Sequence, residues 1–142
     1  MLPVIVEDEG HRGAASLSAE EVVHISTLSV EVDRFDKVFS SDEDIHLMKI
    51  DVEGHESNVL TGCGSLLKMH KIKHVIFEEH MGYPAKSIVD LQKKGYKLYR
   101  IGKSFTGPKL ISPEDNLSFS LSWEPKNYLA TCDDHYVQSR MK

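Results

Sequence analysis

One stretch constrains this chain more than any other: Met48-Lys49-Ile50-Asp51-Val52-Glu53-Gly54-His55-Glu56, followed by Val59-Leu60-Thr61-Gly62. An apolar run ends in alternating carboxylates, a glycine allows the chain to turn, and apolar residues then recur at helical spacing. A parallel strand hands acidic side chains to its carboxyl edge in this way, and open α/β sheets bind ligands at that edge. The pattern therefore predicts an α/β fold with Asp51 and Glu53 at a strand's carboxyl end and Gly54 in the turn.

The flanking sequence extends that reading. Leu47 to Asp51 is a short strand and Glu56 to His70 a helix, with Val59, Leu60, Cys63, Leu66 and Leu67 on one face. Gly62 and Gly64 weaken such a helix by about 1 kcal/mol each, and close packing against a sheet is the expected reason for them. His74 to Glu79 forms a second buried strand, ending in Glu78-Glu79-His80. Pro84 opens a second helix and Gly95 closes it. Tyr96 to Ile101 alternates as a third strand. Val4 to Val6 makes a short strand, Glu7 to Ser18 a loop, and Val30, Val32 and Arg34 a half-buried strand. Ser18 and Glu21 have capping-box spacing, although the β-branched residues after them favour a strand. Ser40 to Asp44 reads as a turn, and Gly102 to Asn116, with two prolines and two glycines, as a loop. Leu117, Phe119 and Leu121 alternate like a strand, and Asn127 to Thr131 is a last apolar segment. Strand-helix-strand-helix-strand implies right-handed crossovers and a mostly parallel sheet, with room for one later antiparallel strand.

Composition bounds the function. With 142 residues and net charge −5, the chain has room for one domain, 1–142, with an irregular lead-in over 1–21 and an α/β core over 22–131. The acidic balance argues against a nucleic-acid or anionic-membrane binder, which would cluster Lys and Arg. Two cysteines make no disulfide framework, and Cys63 fits a small core residue. No apolar stretch reaches membrane-spanning length and the N-terminus lacks the pattern of a signal peptide, so the expected compartment is the cytoplasm. No phosphate-cradling loop or Gly-x-Ser-x-Gly elbow occurs, which leaves phosphoryl transfer and serine hydrolysis unsupported.

The wording around Asp51 resembles the K-I-D-V-E-G-x-E-x-x-V-L-x-G signature of the FkbM-type S-adenosylmethionine-dependent methyltransferases. His11-Arg12-Gly13-Ala14-Ala15-Ser16-Leu17 is similar to that family's N-x-G-A-S-S-L segment, and Val30 to Asp36 to its V-x-L-D-x-h segment, h being apolar. Val75-Ile76-Phe77-Glu78 resembles its I-h-h-E strand, and Asn127-Tyr128-Leu129-Ala130 its closing N-h-L-A. The resemblance covers residues 11–131. It implies a Rossmann-like methyltransferase sheet, S-adenosylmethionine as cofactor, and methyl transfer to a hydroxyl of a small molecule of sugar or polyketide type. The chain resembles only the C-terminal half of that fold. It has no G-x-G-x-G turn after an apolar run, so the glycine-rich first strand is missing. The acidic strand normally pairs with that first strand. Either Val4 to Val6 or Val22 to Leu28 covers its edge, or the chain lacks an N-terminal half.

Each site residue has a functional and a structural reading. Asp51 orients the donor's sulfonium end or takes a hydroxyl proton; alternatively it caps the following helix. Glu53 binds a polar substrate or braces the loop. Gly54 supplies positive φ. Glu56 is a favourable charge at the helix start. Lys49 pairs with Asp51 or Glu78. Glu78 and His80, ending the neighbouring strand, approach Asp51 if the two strands are adjacent, and the His80 imidazole is a candidate general base. A metal site is the weaker alternative: Asp51, Glu53 and His80, with His55 and Glu78 nearby, are oxygen and nitrogen donors suited to Mg²⁺, without the spacing of a dedicated metal motif. A third reading is non-catalytic, a half-domain that binds a partner, or a second copy of itself, through its open sheet edge.

Overall fold

A computed structural model describes residues 2–7, 15–16, 24–39, 42–52, 54–115 and 126–141, with side chains from residue 31 onward. The chain forms two compact units, Met1–Arg34 and Phe35–Lys142. In the first, β1 (Leu2–Glu7) pairs antiparallel with both β2 (Ala15–Ser16) and β3 (His24–Val30), in the order β2-β1-β3. The segments expected to compete for the edge of the acidic strand thus pair with each other. Three residues of the expected loop over 7–18, Glu7, Ala15 and Ser16, join this sheet. The alternation through Val32 and Arg34 does not extend the strand: Asp33 accepts the Arg34 backbone N–H at 2.7 Å, a local bond that competes with a ladder. The Ser18–Glu21 pair and the alternation at Leu117, Phe119 and Leu121 lie outside the described residues.

In the second unit, α1 (Phe35–Val38) precedes β4 (Ile45–Ile50), then α2 (Glu56–Gly62), α3 (Gly64–Lys68), β5 (Ile72–Glu79), α4 (Lys86–Lys93), β6 (Lys97–Ser104), β7 (Gly107–Ile111), β8 (Lys126–Thr131) and α5 (Asp134–Arg140). The sheet order is β4-β5-β8-β6-β7. Only β4 and β5 are parallel neighbours; β8 runs antiparallel to both β5 and β6, and β7 antiparallel to β6. The expected mostly parallel Rossmann-like sheet is therefore incorrect for this chain: its sheet is mixed. The crossover through α4 does carry the chain from β5 to a strand pointing the same way, β6. It leaves a gap one strand wide, and the later β8 fills that gap in the opposite sense.

Two further differences have local causes. The single helix expected over 56–70 is two helices meeting at Cys63, whose φ of −97° and ψ of 8° close α2 and open α3. The supposed loop over 102–116 contains the β6–β7 hairpin. Pro108 fits because β7 is, among the described residues, an edge strand, where a missing N–H leaves no neighbour unpaired.

Strand alternation gives the sheet two unlike faces. One carries Ile50, Val75, Phe77, Tyr128, Ala130 and Leu98, all buried against Leu60, Cys63, Leu66 and Leu67 of the α2–α3 segment and Ile88 and Leu91 of α4. This is the core, and its helical contributors include the apolar positions Leu60, Cys63, Leu66 and Leu67 read from sequence. Burial pushes the Cys63 thiol up to about 11, with Asp36 adding to the effect, so it is a packing residue and not a nucleophile. The opposite face is covered in part by α5, where His74 of β5 stacks on Tyr136 at 5.4 Å.

Candidate functional site

The register places the candidate residues without reference to any ligand. Ile50 pairs with Phe77 in the parallel ladder, so Asp51, one residue beyond β4, lies level with Glu78. Glu78 pairs with Asn127 across the antiparallel ladder. Arg100 pairs with Tyr128, so the next step sets Asn127 level with Ile101. Asp51, Glu78, Asn127 and Ile101 thus form one row across four strands, on the face opposite the core and at the carboxyl ends of β4 and β5. Strand neighbours in such a row stand about 5 Å apart.

Lys49 lies one pleat below Asp51 on the same face, and its Nζ contacts the Asp51 carboxylate at 2.5 Å. The hydrogen bond to Asp51 raises the lysine pKa above its usual value. The charge of Asp51 and, more weakly, that of Glu78 add to this, against a small opposing effect of burial. Of the two partners open to Lys49 in the sequence, the structure chooses Asp51. The pair is half exposed, so it orients the carboxylate more than it stabilises the fold.

The turn after β4 is built as the glycine suggests. Gly54 has φ +83°, where a residue with a Cβ is strained. Its N–H donates to Glu56 Oε1 at 3.2 Å. Glu56 is buried at the start of α2 and braces this turn, a firmer role than a solvated charge at a helix end. His55 stands at the N-cap position of α2 without a side-chain bond to the helix backbone, and its Nδ1 lies 3.3 Å from Asn58 Nδ2. Glu53 lies outside the described residues.

The row brings Asp51 and Glu78 together, as the sequence suggests for adjacent strands. His80 is two residues past Glu78, in the bend after β5, exposed and without a hydrogen bond among the described residues. Glu79 is turned to the core face: it accepts from Ser87 Oγ of α4 and from the Met81 backbone N–H at 3.0 Å, which fixes the bend that carries His80. Among the described residues no three His, Cys, Asp or Glu side chains converge as metal ligands.

Asn127 is the residue that sequence reasoning overlooks. It opens the closing N-h-L-A segment, so it was visible as part of a pattern. Its place beside Glu78 depends on β8 entering the sheet next to β5, which no local pattern encodes.

S-adenosylmethionine, the implied donor, is a sulfonium cation, and two carboxylates with no second cation beyond Lys49 in the row suit its charge. Its adenosine and amino-acid ends need closely approaching backbone amides of the kind a glycine-rich turn supplies, and that turn is not found in the sequence. The residues present fit the reacting end of the donor only.

A family model described as the methyltransferase FkbM domain matches residues 2–98. A comparison with curated proteins and one with solved structures found no match.

Proposed function

The chain belongs to the FkbM methyltransferase family, and from that membership we propose that it takes part in methyl transfer to a hydroxyl of a small molecule at the row Asp51–Glu78–Asn127. The observation that carries this reading is the placement of two carboxylates on one sheet face, at the carboxyl ends of adjacent parallel strands. O-methylation needs in-line positioning and a destination for the hydroxyl proton, and little else. When bound, S-adenosylmethionine supplies the methyl group, its C–S bond breaking as the acceptor's O–C bond forms. Asp51, oriented by Lys49, stands at the strand end to face the cationic donor. Glu78 takes the proton that the hydroxyl releases. Asn127 orients the hydroxyl between them. Gly54 and Glu56 hold the turn that presents Asp51.

Two measurements test this. Calorimetric titration of S-adenosylhomocysteine into the chain, and into the same chain extended upstream, asks whether the donor site is present. In whichever form binds, Asp51→Asn should lower methyl transfer at least about 100-fold, the scale of general acid–base and charge contributions, with the fold unchanged. Near-normal turnover removes Asp51 from the site.

The second reading, a non-catalytic half-domain, is favoured by one observation: among the described residues β4 has a strand partner on one side only, and Leu47 on it is half exposed. No binding of S-adenosylhomocysteine by either form, together with concentration-dependent dimerisation, supports that reading over catalysis.

A further inference from the structure

A groove of about 280 Å³ lies between α5 and the sheet face it partly covers, toward the amino ends of β4 and β5. Leu47, Leu129, Val137 and Met141 make it mainly apolar, and Leu47 and Met141 are exposed at its rim. Its polar lining includes His74 and Arg140 and contains no acidic residue. We propose that this groove binds a small apolar monocarboxylate, its carbon frame against the four apolar residues and its acid group on the N–H donors of His74 and Arg140. Leu47 precedes Asp51 by four residues, about 13 Å along the strand, so binding here does not rest on the methyl-transfer reading.

The hydrogen bonds of His74 carry the argument. The residue is only 8% exposed, and its Nδ1 lies 2.9 Å from Thr131 Oγ1. That hydroxyl already accepts the Asp133 backbone N–H at 3.0 Å. Thr131 is buried, and among the described residues His74 Nδ1 is the one acceptor within reach of its proton. The hydroxyl therefore donates to Nδ1, which puts the ring's own proton on Nε2. Burial holds the His74 pKa below its usual value, so the ring is neutral at neutral pH and keeps this tautomer. Nε2–H has no acceptor among the described residues, and His74 lines the groove, so a ligand there completes its bonding. Arg140 is the second donor. Its guanidinium lies 5.3 Å from the centre of the Tyr136 ring, and His74 stacks on the same ring at 5.4 Å. Stacking leaves the in-plane N–H groups of Arg140 open, and it makes no ion pair among the described residues. The carboxylates of Asp133 and Asp134 are held at the other end of α5, by the Tyr136 N–H and by Lys97. The groove thus offers two donors, one of them a cation, and an anion meets no repelling carboxylate in its walls. Its volume sits at the low end of small-molecule sites, which suits a single ring or a short chain. A dicarboxylate would set its second charge against leucine.

The test is an NMR titration of the whole ¹⁵N-labelled chain with phenylacetate and, separately, with its neutral counterpart phenylacetamide. Before any ligand is added, the imidazole nitrogen shifts of His74 should report a protonated Nε2 and a bare Nδ1 at about pH 7.5. Phenylacetate should give saturable shifts in the amides of Leu47, His74, Leu129 and Met141, and bind at least about tenfold more tightly than the amide. Arg140→Met, at an exposed position, should weaken phenylacetate about tenfold and leave phenylacetamide unchanged. Leu47→Ser, also exposed, should weaken both ligands by the same factor, about threefold. Absence of saturable shifts, shifts elsewhere on the chain, equal affinity for acid and amide, indifference to either substitution, or a proton on Nδ1 would overturn the proposal. Shifts of the same amides with protein concentration alone would also overturn it, by assigning the groove to a second copy of this chain.

Discussion

His74 projects from β5 beneath α5, its Nδ1 2.9 Å from Thr131 Oγ1 and its ring stacked on Tyr136. Burial lowers its pKa below the ordinary 6.5; the charge of Asp133 opposes this and His46 adds to it. The unfolded chain therefore takes up this proton first as pH falls. Stability contributed by the neutral imidazole is complete above pH 6.5 and drains between that value and the lowered folded one, at up to about 1.4 kcal/mol per pH unit. Urea midpoints at about pH 7.5 and about pH 5.5 should show a loss in the parent chain that shrinks in His74→Gln. An equal loss in both would assign it to other groups. Gly54 offers a second test at this scale. A Cβ built there meets nothing within 4 Å, so Gly54→Ala costs backbone strain alone, about 1–2 kcal/mol in a denaturant midpoint. The conformation of Gly54 was legible, because a glycine between two carboxylates at a strand-to-helix turn has few other reasons to be there. Asn127 was not legible, because its neighbour Glu78 is remote in sequence.

The α2–α3 segment shows which part of an element its sequence encodes. The apolar spacing correctly gave the buried face, since Leu60, Cys63, Leu66 and Leu67 all point into the core. It missed the break at Cys63, because a change of backbone direction at one residue leaves the spacing nearly intact. It also suggested that close packing requires the glycines. For Gly64 that is incorrect: a Cβ there meets nothing within 4 Å, and the residue is the first of α3. Gly64→Ala should therefore stabilise the chain by up to about 1 kcal/mol through helix propensity and a less flexible unfolded state. Leu67→Ala, three residues on and fully buried, should destabilise it by about 2–5 kcal/mol. The same chemical denaturation series reads both, and opposite signs from two neighbouring positions would separate propensity from packing. The β6–β7 hairpin errs in the other direction. Glycine and proline content suggested a loop, yet an edge strand accepts both, and edge position is a property of the sheet and not of the segment. Helix α5 went unread although Asp133 caps it, accepting the Tyr136 N–H at 3.0 Å, since seven residues hold too few turns for a periodic signal.

For the whole molecule, most strands were legible, β2 and β7 excepted, and their order was not. Alternation says which residues share a face; it does not say which strand lies alongside. The parallel expectation followed from β4-α-β5-α-β6, and it failed where β8 enters between β5 and β6. That insertion also finishes the core, because Tyr128 and Ala130 of β8 pack with Phe77, Val75 and Leu98. Among the residues whose side chains are described, every member of the buried hydrophobic cluster lies between Ile50 and Ala130, in the second unit. The strands before residue 31 pair among themselves. A fragment of residues 35–142 should therefore keep the far-UV signature of its helices and sheet and unfold in one cooperative transition. The edge of β4 is guarded in that fragment by the charge of Lys49, which resists pairing with another copy. Loss of cooperative unfolding would show that the core of the second unit is insufficient by itself. A cooperative fragment that dimerises would instead argue against that guard.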